Sequence, residues 1–100
     1  MKIPLGTPLA IVAYRDFHDV PRLILATDSD GGFWVLDSHF DDDADEYSPV
    51  YKVFFVGDDL CAAKQALESW PNRSTGLGIG AIAVDRVRFD DTRRKALTCI

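Results

Sequence analysis

The chain has 100 residues, of which 47% are hydrophobic and 27% charged, and its formal net charge is −5. That length accommodates one hydrophobic core and predicts a single domain over residues 1–100, and the composition excludes native disorder. The negative balance argues against a general nucleic-acid binder, and two cysteines exclude a disulfide scaffold. No apolar run approaches the length of a membrane span, roughly 20 residues.

In chain order, Leu9–Tyr14 is apolar on both parities, which predicts a strand covered on both faces. Arg15–Pro21 reads as a connection, because Pro21 lacks a donor and restrains Val20. Arg22–Thr27 and Phe33–Asp37 flank Asp28-Ser29-Asp30-Gly31-Gly32, so they predict a hairpin. His39–Pro49 is polar; Phe40, Ala44 and Tyr47 share a helical spacing and suggest a helical turn. Val50–Val56 predicts a central strand. Asp58 is positioned to cap a helix over Asp59–Trp70, with Leu60, Ala63, Leu67 and Trp70 on its apolar face. Pro71–Gly76 stops that helix. Leu77–Phe89 breaks strict alternation near Asp85, which predicts a bulge or bend there. The tail Asp90–Ile100 is basic and reads as a short capped helix or a frayed end.

These elements predict an α+β fold: a strongly twisted, mainly antiparallel five-stranded sheet carrying one amphipathic helix between strands 4 and 5, with partial closure into a small barrel as the variant. The expected core is Leu9, Ile11, Val12, Leu23, Leu25, Val35, Leu36, Val53, Phe55, Leu67, Ile82 and Val84. Cys61 reads as a small buried position and Cys99 as part of a mobile end. With no leader evident, the expected setting is cytoplasmic with reduced thiols.

The charge is segregated. Residues 16–59 sum to −10, while residues 1–15 and 60–100 sum to +2 and +3. Asp41, Asp42, Asp43, Asp45 and Glu46 place five carboxylates within six residues. One reading is an anionic patch that docks a basic protein, with Trp34 and Tyr51 as an exposed aromatic anchor beside it. The other is a solvated loop neutralised by the chain's own Arg86, Arg88, Arg93, Arg94 and Lys95. Arg86 and Arg88 also share a parity suited to clamping a carboxylate or phosphate.

Other chemistry is thinner. Asp37, His39 and Asp41 lie at i, i+2 and i+4, a spacing that on an extended strand offers a divalent metal an O,N,O set. No EF-hand spacing fits from Asp28 or Asp41. His18 lies between Asp16 and Asp19 without a nucleophile beside it. Gly76-Leu77-Gly78-Ile79-Gly80 lacks the spacing of a phosphate loop, so it reads as a strand start.

Hairpin sheets with an acidic face are similar, in architecture and charge alone, to bacterial immunity and antitoxin proteins. The leading expectation is therefore a binding module for a basic protein partner, without nucleic acid, membrane or obligatory cofactor, as a monomer or weak homodimer. The alternatives are a metal-dependent small enzyme or metal-binding protein using Asp37, His39 and Asp41, and a self-associating structural domain.

Overall fold

A computed structural model describes residues 2–70 and 77–100. The fold is mainly β, with one short helix, and its sheet is antiparallel as the sequence predicts. The strand count is larger than expected: seven strands form the main sheet and two more form a separate ribbon. In chain order they are β1 (Pro8–His18), β2 (Val20–Thr27), β3 (Phe33–Asp37), β4 (Phe40–Asp41), β5 (Glu46–Tyr47), β6 (Val50–Phe55), α1 (Leu60–Glu68), β7 (Leu77–Ala83), β8 (Val87–Phe89) and β9 (Ala96–Cys99). The main sheet runs β7-β6-β3-β2-β1-β9-β8, and β4 pairs only with β5.

The order dictates the curvature. β7 and β8 are the two outermost strands, yet only one 3₁₀ turn, Val84–Arg86, joins them. In a flat sheet at about 4.8 Å per strand they would lie roughly 29 Å apart. Four Cα steps reach at most about 14 Å. The sheet must therefore curl until its edges approach, giving a half-barrel. The break predicted near Asp85 is this turn.

The N-terminal segment touches both β9 and β7. Leu5 bridges Cys99, Gly6 N–H donates to the Cys99 carbonyl (2.7 Å), and Ile3 packs against the inner core beside Gly80.

Curling divides the apolar residues into two cores. Inside the half-barrel, Leu9, Ile24, Ala26, Trp34, Leu36, Tyr51, Val53, Ile82, Val87, Leu97 and Cys99 pack together. Outside, α1 lays Ala63 and Leu67 on Leu23, Leu25, Phe33 and Val35. This explains why β2 and β3 lack polar alternation: each of their faces meets a core. The helix starts one residue later than expected, with Asp59 rather than Asp58 as the cap. The Asp59 carboxylate accepts from Cys61 N–H (2.9 Å).

Several expectations are corrected. Trp34 and Tyr51 are 5% and 0% exposed and belong to the inner core, so they form no surface patch. The Tyr51 hydroxyl donates to the Pro21 carbonyl (2.7 Å). Burial pushes its phenol well above the usual range. The Trp34 indole N–H donates to Asp28 (2.9 Å). Arg15–Pro21 is no loose connection, because β1 and β2 pair as far as His18 and Val20. Asp16 and Asp19 take left-handed φ values of 57° and 65° there, a conformation that Asp tolerates better than most side chains. The Phe40–Tyr47 spacing belongs to the β4–β5 hairpin rather than to a helical turn. The tail is neither helix nor frayed, since Ala96–Cys99 pairs with both β1 and β8. Cys61 is exposed and Cys99 is buried, and burial raises the Cys99 thiol to about 11. Pro71–Gly76 lies outside the described residues.

Candidate functional site

The β4–β5 hairpin leaves the sheet between β3 and β6 through a polar neck. Ser38 is buried; its N–H donates to the Arg22 carbonyl (2.7 Å) and its hydroxyl to the Ser48 carbonyl (2.8 Å). Ser48 N–H returns to the His39 carbonyl (2.8 Å). These bonds satisfy the backbone where the chain departs from the main ladder.

Above the neck, the Tyr47 ring holds the hairpin to β1 and β2. His18 stacks on it at 5.3 Å between centroids, Phe40 meets it edge to face at 5.1 Å, and the Arg22 guanidinium carbon lies 4.9 Å from its centroid. Arg22 is fixed in turn, because its Nε donates to the His18 carbonyl (3.0 Å) and its Nη1 reaches the Ser38 hydroxyl (3.4 Å).

The tip is organised by Asp41. Its Oδ1 accepts from the N–H groups of Asp43 (3.0 Å) and Ala44 (3.4 Å). Asp45 takes a left-handed φ of 53°. Asp residues suit both roles, which is why an Asp-rich stretch makes a tight turn here. Asp42, Asp43, Asp45 and Glu46 are exposed, and Phe40 remains 43% exposed at the base.

Among the described residues, the side chains of Arg93 and Arg94 bond neutral acceptors. Arg93 Nη1 donates to the Asp19 carbonyl (2.7 Å). Arg94 Nε donates to the Tyr14 hydroxyl (3.0 Å) and its Nη1 to the Thr92 carbonyl (3.0 Å). The Arg94 guanidinium covers the Phe17 ring at 4.0 Å, a cation–π contact. Asp90 arranges their loop. Its carboxylate accepts from the Thr92 hydroxyl and from the N–H groups of Thr92, Lys95 and Ala96, which hold it well below the usual carboxylate range. Asp28 is lowered similarly, first by the Trp34 indole and then, against the opposing effect of burial, by the backbone of its turn.

Asp37, His39 and Asp41 do not converge. Asp37 Oδ2 accepts from the Trp70 indole N–H (2.9 Å), and Asp41 closes its own turn. Among the described residues no group of three or more His, Cys, Asp or Glu side chains is placed to hold a metal ion. Arg86 and Arg88 also separate: Arg86 lines a pocket with the N-terminal segment, and Arg88 lines a groove at the Tyr47 end of the half-barrel.

Sequence reasoning misses Phe40 as the exposed aromatic, and Arg22 and Tyr47 as the hairpin's support. The signal that points to them is Phe40 and Tyr47 flanking a run of turn-forming aspartates.

Comparisons with protein-family models, curated proteins and solved structures returned no match. The functional reading therefore rests on geometry and charge.

Proposed function

We propose that this protein is a binding module that docks a basic protein partner through the β4–β5 hairpin. The observation that carries the reading is the exposure of Asp42, Asp43, Asp45 and Glu46 together on a turn braced by Asp41, with Phe40 exposed beside them.

Magnitudes assign the roles. An exposed ion pair contributes about 0.2–1 kcal/mol, so the carboxylates chiefly accelerate encounter and set orientation. Burying a Phe side chain contributes about 1.5–3 kcal/mol, so Phe40 is the anchor that the charges deliver. Trp34 and Tyr51 hold the core beneath and take no part in contact.

The test uses a fluorescent hexa-arginine peptide and two variants of equal net charge. One carries Asp42→Asn, Asp43→Asn, Asp45→Asn and Glu46→Gln. The other loses four exposed carboxylates elsewhere, at Asp30, Asp58, Glu68 and Asp91. Hairpin neutralisation is expected to weaken binding at least about tenfold, against at most about threefold for the control. Equal losses in the two variants would show that only net charge matters and would refute the reading.

A further inference from the structure

The end of the half-barrel beside Tyr47 carries an open groove of about 730 Å³. Its charge contradicts the composition. In a chain with sixteen acidic and eleven basic residues, it is lined by three arginines, Arg22, Arg88 and Arg93, against one acidic residue, Asp85. They come from three separate elements: β2, β8 and the β8–β9 loop.

Two of the three are held in place. Arg22 is anchored by the His18 carbonyl, the Ser38 hydroxyl and the Tyr47 ring, and Arg93 by the Asp19 carbonyl. A guanidinium has five N–H donors in a planar fork, so these bonds orient each side chain while leaving donors for an oxyanion. The same lining includes apolar residues: Val87 is buried, and Val20, Val84 and Phe89 are half-buried. The volume falls within the ~300–1,000 Å³ of small-molecule sites.

We propose that this groove binds a small amphipathic anion, whose carboxylate or phosphate pairs with Arg22, Arg88 and Arg93 and whose ring or branched apolar body covers Val20, Val84, Val87 and Phe89. The inference is independent of the hairpin reading, because it uses none of the hairpin carboxylates.

The test is an amide-shift titration of the full chain with phenyl phosphate and benzoate as probes, and inorganic phosphate and benzyl alcohol as controls. Arg88 is the residue to change, because it is exposed on an outermost strand. At least one probe is expected to saturate with shifts at Val20, Val87 and Phe89. Arg88→Met should weaken it at least about tenfold, and Arg88→Lys should retain more of the binding. Asp85→Asn should tighten it severalfold by removing the opposing charge, an effect that a merely structural residue would not give. Absence of saturation by both probes, equal affinity in Arg88→Met, or benzyl alcohol binding as well as the anions would overturn the site. Inorganic phosphate binding as tightly as phenyl phosphate would remove the apolar half of the proposal.

Discussion

The β4–β5 turn and the β8–β9 loop use the same local chemistry and end in different places. Each is built on an aspartate that collects backbone N–H groups, Asp41 in one and Asp90 in the other. Each also contains a left-handed residue that is not glycine, Asp45 or Arg93. The β8–β9 loop leads into Ala96–Cys99, whose Leu97 and Cys99 are both 1% exposed in the inner core. Among the described residues the β4–β5 ribbon pairs with no third strand, and it meets the body through Ser38, Ser48 and the Tyr47 ring. An aspartate-built turn can thus be part of the folding unit or a presented surface, depending on what its strands bury.

The sharpest way to break the comparison is at the core end of the β8–β9 loop. Leu97→Ala is expected to lose about 2–5 kcal/mol in urea unfolding without a change in slope, as for other fully buried leucines. Asp90→Asn comes next, with a lower thermal midpoint. Because folding lowers the Asp90 carboxyl, its contribution is complete above the unfolded value, about 4, and disappears as pH falls through the lower folded value. The gap between wild type and Asp90→Asn should therefore be constant at neutral pH and narrow in acid; a gap that widens in acid would contradict the assignment. Tyr51→Phe, which strands the Pro21 carbonyl, is expected to cost about 1 kcal/mol in the same unfolding measurement. Asp41→Ala should change global stability by less than about 0.5 kcal/mol, the range of surface substitutions. Amide exchange should nevertheless accelerate at Asp43 and Ala44, whose N–H groups lose their acceptor.

What the sequence reveals follows the range of the interactions. The Asp28–Gly32 hairpin and the helix depend on neighbours in sequence, and both stand as predicted apart from the helix ends. Trp34 and Tyr51 escape a reading by alternation because a one-layer sheet leaves a face for solvent, whereas the curled sheet encloses that face. The curl depends on β7 and β8 being outermost, an arrangement no local pattern encodes. β9 is readable in part: Leu97 and Cys99 alternate with Ala96 and Thr98, but four residues beside a basic run give a weak signal. At the candidate site the carboxylates are legible by density alone. Phe40 and Tyr47 are hinted at by flanking that run, but the Arg22–Tyr47 support is not legible, since it joins β2 to the hairpin across the fold.

If the hairpin carboxylates and Phe40 act as one presented surface, an arginine-rich peptide must leave its mark there. The most direct measurement is the amide-shift footprint of such a peptide on the full chain. A saturable footprint confined to residues 40–47, and lost when Asp42, Asp43, Asp45 and Glu46 are neutralised, is the predicted result. Shifts spread equally over Asp30, Asp58 and Asp91 would contradict it.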